Sequence, residues 1–377
     1  MYLTLIKQKQ KTQQVSLFGA TTITEAYCKF INVDITPDKF SEQMITNAKN
    51  LEAEFNTFIN SINFDITDTM QEHYTTFRIP KKTTGYREIN APSDELKDIQ
   101  KKIVEFFQTK LKIWPSNNCF AYTQNRSHID AVKVHQKNKS KYFLKLDIKD
   151  FFPSCTIEEL INKFVNIYPI CLWEQPTIEN QFIKMLKLCT LNNVLPQGSP
   201  ASPYLSNILF IDYDYKINYV LNSTATGFNQ QKYVYTRYAD DLLISAKNAF
   251  KWSVLQDIIK NILKPYHTIK TEKTRYGSKN GRNWNLGLML NKDNNITIGY
   301  KTKQNLKAML HQFILAHRAN DDSTCLSIHD IQEMNGLINY YKQIEPTYVN
   351  YLIKHYSKKF DIDINKIIHD YLAHKII

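Results

Sequence analysis

Glycine and proline are scarce in this 377-residue chain, which contains 9 and 12 of them. Collagen-like and low-complexity linker architectures need far more of both and are excluded. No apolar run reaches the roughly 18 residues that a membrane-spanning helix requires. The opening segment MYLTLIKQKQKTQQ places its charges after a very short apolar stretch, which is the reverse of a secretory signal. We therefore expect a cytoplasmic protein with no membrane partner.

Nitrogen and sulfur ligands with metal-binding spacing are also missing. The six cysteines contain no C-x-x-C pair and lie at positions 28, 119, 155, 171, 189 and 325. This scatter argues against a disulfide framework and a cysteine zinc site. Six of the ten histidines lie near the end of the chain, at positions 311, 317, 329, 355, 369 and 374. None pairs with Cys, Asp or Glu at ligand spacing, so we expect surface or helix-packing histidines.

Hydrophobic residues make up 43% of the chain and charged residues 22%, which predicts a folded protein with real cores. The net charge of +12 is concentrated between Lys81 and Lys149, where 15 Lys and Arg face 7 Asp and Glu. Residues 1–65 are nearly neutral. A basic block with interleaved Tyr and Phe fits a nucleic-acid or phosphate partner, although surface lysines also serve solubility.

Hydrophobic periodicity predicts an α+β fold that ends in a helical tail. The expected helices are within 23–65, after Pro92, and over about 157–168, 177–191, 200–221, 249–264 and three or four times within 302–377, with a break near 345–346. The expected strands are a hairpin over 75–90 with its turn at 83–85, a strand over 142–147, two strands over 233–245, and short strands near 269–274, 284–290 and 295–299.

Three aspartates occupy the ends of apolar strands. Asp147 ends the strand over 142–147, and Asp240 and Asp241 lie at the tip of the hairpin over 233–245. Burying carboxylates is costly unless a cation compensates, and such hard oxygen ligands suit Mg²⁺. An ordinary hairpin turn and a helix cap would explain the same residues, since Asp favours both positions.

Three segments around these acids occur in a set order: LKLDIKDFFPS over 144–154, LPQGSPASP over 195–203 and YTRYADD over 235–241. In this order and spacing the chain resembles bacterial reverse transcriptases, especially retron enzymes and their defence-associated and abortive-infection relatives. The resemblance covers roughly residues 75–375. It implies a right-hand polymerase with fingers over 75–140, a palm with a ferredoxin-like sheet over 141–300, a fingers insertion at about 155–195 and a helical thumb over 301–377. A helical extension over 1–74 precedes them.

The resemblance implies two Mg²⁺ ions, with Mn²⁺ as the alternative metal. Their ligands would be Asp147, Asp240, Asp241 and the backbone carbonyl of Ile148. Lys273 would donate a proton to the leaving pyrophosphate. A solvated surface lysine is the alternative interpretation of that residue.

The resemblance also implies contacts to nucleotide and primer. Residues expected at the nucleotide are Lys81 or Lys82 and Arg87 on the hairpin, Asp150 and Phe151 beside the triphosphate, Phe152 as a steric gate against the ribose 2′-hydroxyl, and Gln197 with Gly198. Residues expected at the primer or template are Tyr238, Gly287 and Leu288. For Phe152 the alternative is plain core packing.

Two departures from the retron pattern favour a neighbouring defence-associated group. The chain reads Asn285-Leu-Gly-Leu288 where retron enzymes usually have Val-Thr-Gly. It also reads Ala131-Val-Lys-Val-His135 where they carry Asn-Ala-x-x-His, so the histidine is kept and the Asn-Ala is lost.

The leading hypothesis is an RNA-directed DNA polymerase that makes cDNA from an associated non-coding RNA in antiphage defence. Its expected partners are this RNA, dNTPs and the RNA–DNA hybrid; an accessory effector, a second reverse transcriptase or a second copy of the chain are further candidates. The alternative enzyme makes untemplated or protein-primed DNA, from a hydroxyl that 23 tyrosines leave undetermined. A non-catalytic RNA-binding scaffold is the third hypothesis, and the three retained carboxylates argue against it.

Overall fold

The fold begins with a helix and an antiparallel hairpin. The computed structural model of the protein describes residues 40–64, 70–81, 85–222, 231–280, 284, 287–319 and 327–373. These include α1 (Glu42–Asn60), the hairpin strands β1 (Tyr74–Pro80) and β2 (Tyr86–Pro92), and α2 (Asp94–Thr109). Side-chain caps at Ser41 and Ser93 start the two helices. The predicted hairpin is confirmed, while residues 1–39 of the expected extension lie outside the described part of the chain.

A four-stranded antiparallel sheet forms the centre of the molecule. Its strands are β3 (Tyr142–Asp147), β4 (Tyr233–Tyr238), β5 (Asp241–Ala246) and β6 (Arg275–Ser278), in the spatial order β4-β5-β3-β6. The register places Asp147 directly opposite Asp241. The strands predicted over 142–147 and 233–245 are therefore confirmed.

The strand predicted near 269–274 is wrong over most of its length. Residues Thr271–Lys273 form a 3₁₀ turn, and β6 begins only at Arg275. The N–H of Lys273 donates to the carbonyl of Lys270, and the N–H of Lys270 donates to the carbonyl of Asp147. These hydrogen bonds pair the backbone N–H groups of Lys270 and Lys273, so the segment does not need a strand ladder to pair them.

Six helices pack around the sheet and continue the main core. They are α3 (His128–Lys137), α4 (Ile157–Phe164), α5 (Ile183–Cys189), α6 (Ser202–Leu209), α7 (Ile211–Asn222) and α8 (Trp252–Leu263). The single helix predicted over 200–221 is wrong, because Phe210 interrupts it. The Phe210 ring is fully buried, 5.0 Å from the Phe151 ring and beneath the Arg237 guanidinium. Phe210 thus lies between the two helices as a buried contact of both the turn after β3 and Arg237.

Helix α1 belongs to the same core as the sheet. Its Phe55 is fully buried and lies 4.7 Å from the Trp173 ring and 6.1 Å from the Phe182 ring, measured between ring centroids. Such aromatic contacts contribute beyond the area that they bury. The proposed boundary at residue 74 stays a prediction.

Four helices of the described chain form a second core after the short strands β7 (Met289–Leu290) and β8 (Ile296–Thr297). They are α9 (Tyr300–Ala319), α10 (Ile328–Ile344), α11 (Pro346–Phe360) and α12 (Ile364–Ala373). The predicted break lies at Glu345, whose carboxylate accepts from the Ile298 N–H at 2.9 Å and pairs with Lys303 at 2.7 Å. Glu345 thus joins this helical region to β8.

The sequence predicts neither a membrane-spanning helix nor a disulfide framework. The two observations that bear on these predictions concern the described residues alone. None of the helices described here combines enough length with enough apolarity to cross a bilayer. None of the described cysteines forms a disulfide. Cys28 and Cys325 lie outside the described ranges.

His135, which lies in the Ala131–His135 element that departs from the retron pattern, is buried against the four-stranded sheet. Its Nδ1 lies 2.6 Å from the Ser245 hydroxyl and its Nε2 lies 2.8 Å from the Thr236 hydroxyl. Burial lowers the pKa of His135 to about 3. The side chain is therefore neutral in the folded protein and joins α3 to β4 and β5.

We expect the stability of the protein to fall on acidification because of His135. Its folded pKa lies below the unfolded value of about 6.5, so the unfolded chain binds the extra proton as the pH falls below that value. From pH 7 to pH 5 the wild type should lose about 2 kcal/mol more unfolding free energy than His135→Gln, which cannot titrate. Urea unfolding of both proteins at both pH values measures this difference. Equal losses would contradict a neutral, buried His135.

Candidate active site

The three predicted aspartates meet at one end of the palm sheet. Asp147 ends β3 opposite Asp241, which begins β5, and Asp240 lies in the tight turn between β4 and β5. Ala239 makes that turn with a φ of 54°. The N–H of Ile148 donates to the carbonyl of Asp240 at 2.9 Å, which holds the two segments together. Strand register alone therefore brings the carboxylates to one place.

Three lysines face these carboxylates. Lys145 Nζ lies 2.6 Å from Asp241 Oδ2, and Lys270 Nζ lies 2.9 Å from Asp147 Oδ1. The predicted Lys273 is farther, with its Nζ 3.4 Å from Asp147 Oδ2, and its side chain is 57% exposed against 22% for Lys270. The structure thus brings Lys273 to the site and adds two lysines.

The sequence analysis did not predict that Lys145 and Lys270 lie at the site. For Lys145, its spacing from Asp147 was a signal. Lys145 lies two residues before Asp147 on β3, so strand alternation places both side chains on the same face. Lys270 begins the segment that contains Lys273, but only the 3₁₀ turn decides which lysine lies nearer to Asp147.

The aspartate carboxylates repel one another. Burial, followed by the nearby charges of Asp241 and Asp147, raises the pKa of Asp240. Among the described residues no three acidic, His or Cys side chains close around one point. Two of the three carboxylates are instead directed at lysine ammonium groups.

The donor atoms nevertheless fit a hard divalent cation. Asp147 Oδ1 is buried, and the Lys270 ammonium lies 2.9 Å from it as an ion-pair partner. In extended backbone the N–H and C=O of one residue point to the same side, so the Ile148 carbonyl faces the Asp240 turn. Carboxylate and carbonyl oxygens are the ligands that Mg²⁺ and Mn²⁺ accept.

The turn after β3 carries the residues expected at the triphosphate. Asp150 is exposed and has a φ of 45°. The Phe151 side chain is buried against Phe210, so only its backbone is available to a ligand. Phe152 is half-buried, and its ring lies 5.3 Å from Phe151 and 6.3 Å from Tyr122.

The loop over 195–203 is joined to the hairpin at Gly198. The N–H of Asn90 donates to the carbonyl of Gln197 at 2.6 Å. Gly198 has a φ of 121°, and a Cβ there would lie 2.7 Å from the Asn90 carbonyl oxygen. Gln197 Oε1 is buried without a hydrogen-bond partner among the described residues.

Arg87 on the hairpin lies close enough to Tyr122 for its charge to affect that phenol. Burial and then the Asp240 carboxylate raise the pKa of Tyr122, while the Arg87 charge opposes them. Arg87 and Asp240 therefore act on the same phenol. Lys81 is exposed near the turn, and Lys82 lies outside the described residues. Tyr122 itself was missed, because nothing in its local sequence distinguishes it from other loop aromatics.

The residues expected at the primer differ in exposure. Leu288 is buried with Phe143 in a small apolar cluster, whereas Gly287 is exposed with nothing near its Cβ position. Tyr238 is half-buried and its ring lies perpendicular to that of His128. His128 Nε2 in turn lies 2.6 Å from the Tyr340 hydroxyl on α10, so this side of the palm touches the helical tail.

A family model described as reverse transcriptase (RNA-dependent DNA polymerase) matches residues 79–312. The chain belongs to this family. The expected right-hand polymerase fold of mixed helices and sheet is confirmed by this membership, since the carboxylates, the turn after β3 and the loop over 195–203 all lie inside the matched residues.

Retron enzymes are among the similar curated proteins. The chain is 27% identical to the Retron Ec83 reverse transcriptase of Escherichia coli, over 78% of this chain and 90% of that protein. It is 28% identical to the Retron Ec73 reverse transcriptase of Escherichia coli, over 74% of this chain and 86% of that protein. The resemblance to retron enzymes is thereby confirmed.

Telomerases are among the similar solved structures. Telomerase from Candida tropicalis in complex with a TWJ fragment of telomeric RNA has a TM-score of 0.44 and 14% identity. The match covers 86% of this chain and 62% of the telomerase chain, so this chain spans less than two thirds of that protein.

We expect Gly198→Ala to disrupt the contact between the loop and β2. The new Cβ meets the Asn90 carbonyl and the positive φ strains any side chain, so the unfolding free energy should fall by about 3 kcal/mol. Gly85→Ala is the matched control, because Gly85 also has a positive φ but has open space around its Cβ position. It should cost about 1 kcal/mol in the same denaturant titration. Equal costs would show that no close approach constrains Gly198.

Proposed function

We propose that the protein copies an associated non-coding RNA into DNA with two Mg²⁺ ions. The observation that carries this proposal is the register that sets Asp147 against Asp241, with Asp240 in the adjoining turn. Membership of the reverse transcriptase family supports the polymerase chemistry. The names of the retron relatives support a dedicated RNA partner. By the same resemblance, we propose a role in antiphage defence.

Asp147, Asp240, Asp241 and the Ile148 carbonyl would hold the metals. Bound there, divalent ions would activate the primer 3′-hydroxyl and stabilise the charge that develops on the phosphate oxygens. The protein holds these ligands on adjacent strands, so their separation is set before substrate binds. Lys270 pairs with the Asp147 carboxylate, and the more exposed Lys273 would give a proton to the departing pyrophosphate.

Nucleotide recognition would come from three segments: the hairpin, the turn after β3 and the loop over 195–203. Arg87 presents a planar fork that suits phosphate oxygens, and Lys81 adds a second cation on the same hairpin. The exposed backbone at Asp150 lies beside the carboxylates, and the Phe152 ring would exclude a ribose 2′-hydroxyl. Gln197 and Gly198 would contact the base pair that forms.

The first experiment is a primer-extension assay on the protein purified with its bound nucleic acid. Mg²⁺ and labelled dNTPs are supplied singly and together, and both the DNA product and the bound RNA are sequenced. DNA complementary to the copurified RNA is the expected product. A homopolymer, or a product whose mobility changes after protease treatment, would instead establish untemplated or protein-primed synthesis.

We expect Asp240→Asn to lower DNA synthesis by at least about 1,000-fold, because several kcal/mol of transition-state stabilisation depend on the metals. Asp257→Asn is the matched control, since Asp257 is an exposed acid on α8 that pairs with Lys260. It should retain full activity in the same assay. Equal activity of wild type and Asp240→Asn would disprove the assigned metal site.

We expect Arg87→Ala to raise the KM for dNTPs about tenfold, because a charge-assisted phosphate contact is lost. Arg78→Ala is the control on the same hairpin. Arg78 lies opposite Glu88 whereas Arg87 lies opposite Ile79, so the two arginines occupy opposite faces. Steady-state incorporation of one nucleotide measures both variants. A similar rise in both would indicate general hairpin damage and not a triphosphate contact.

A further inference from the structure

A buried chain of polar groups lies behind the turn over 150–154. His267 Nε2 lies 3.1 Å from Glu159 Oε1, and the Tyr213 hydroxyl donates to the same oxygen at 2.6 Å. The other ring nitrogen of His267, Nδ1, lies 2.8 Å from the Ser154 hydroxyl. Ser154 also donates to the Phe151 carbonyl at 2.8 Å. Groups from four separate parts of the chain thus converge on the end of this turn.

Aromatic packing joins His267 to the same turn by a second route. The His267 ring lies 4.7 Å from the Phe210 ring, which lies 5.0 Å from Phe151. Phe151 is in turn 5.3 Å from Phe152. A displacement of His267 therefore reaches the turn that carries Phe152 through the Ser154 hydroxyl and through ring contacts, because packed interiors transmit shifts.

His267 also adjoins the lysine segment on the other side of the aspartates. The carbonyl of Thr268, the next residue, accepts from the Lys149 N–H at 2.8 Å. Two residues further along the chain, the Lys270 N–H donates to the Asp147 carbonyl at 2.8 Å. His267 thus lies between the segment that carries Lys270 and the turn that carries Phe152.

The arrangement holds a loop in place and does not perform chemistry itself. Serine, histidine and glutamate also occur together in hydrolases. Here the His267 side chain is fully buried between Phe210 and Tyr213, so a substrate has no access to the ring. The buried Glu159 carboxylate would be costly without His267 and Tyr213 as partners. The network therefore acts on the turn.

We propose that His267, oriented by Glu159 and Tyr213, is a positioning residue that sets sugar discrimination by Phe152 through Ser154. This inference rests on the proposed polymerase function. If the turn relaxes, Phe152 moves away from the position at which it would meet a 2′-hydroxyl. Selection of dNTPs over rNTPs should then weaken more than overall turnover.

The test is single-nucleotide incorporation on a primed RNA template with Mg²⁺, measured for a dNTP and the matching rNTP. Ser154→Ala removes one hydroxyl and should lower the dNTP-to-rNTP ratio of kcat/KM about tenfold, mainly through a higher kcat/KM for the rNTP, whose 2′-hydroxyl is no longer excluded. His267→Gln should change the ratio in the same direction. Ser154→Thr keeps the hydroxyl and should restore the ratio to within about twofold of wild type.

A matched control separates positioning from general loosening of the core. Ser140→Ala removes another buried hydroxyl, one that contacts Ser245 and Asn138 away from the turn. It should leave the ratio unchanged. In a Phe152→Ala background, Ser154→Ala should have no further effect on the ratio, since residues that act as one unit are not additive.

The outcomes distinguish this inference from the proposed function. Suppose that the wild type synthesises DNA and that the folded Ser154→Ala variant keeps the wild-type dNTP-to-rNTP ratio of kcat/KM. This result would overturn the positioning role alone. An equal fall in the ratio for Ser140→Ala, or additive effects with Phe152→Ala, would also overturn it. A wild type that incorporates no nucleotide would overturn both the positioning role and the polymerase function.

Discussion

The repulsion among three carboxylates is the constraint on which the site depends. Asp147, Asp240 and Asp241 are placed together by the pairing of β3 with β5, and the pKa of Asp240 rises through burial and the two neighbouring charges. A sheet made of apolar strands can bear this cost, because its stability comes from elsewhere in the core. In the proposed function, divalent cations would relieve this repulsion.

Lysines compensate this charge from inside the fold. Lys145 and Lys270 each pair with one aspartate and are mostly buried, whereas Lys273 and Arg87 extend toward the open side. The inner cations balance the protein's own carboxylates, and in the proposed function the outer cations would bind a substrate's phosphates. This division explains why a basic chain can contain so acidic a centre.

Buried polar networks hold the surrounding segments in place. Arg237, three residues before Asp240, is completely buried, pairs with Asp214 at 2.9 Å and covers the Phe210 ring. Phe210 supports the turn after β3, and His267 supports Phe210 from the other side. Removing one partner of a buried ion pair costs about 3–5 kcal/mol, so such networks fix a single arrangement.

The sequence by itself determined the strands that end in aspartate, the hairpin, the helical tail and the glycine beside Gln197. Alternation, turn chemistry and capping act over a few residues, so they can be read locally. Tertiary structure alone decided that Lys270 lies nearer than Lys273 to Asp147, that Phe210 interrupts a helix, and that His267 reaches Glu159 across 108 positions of the chain. These features depend on which distant side chains share a buried space, and no local pattern records that.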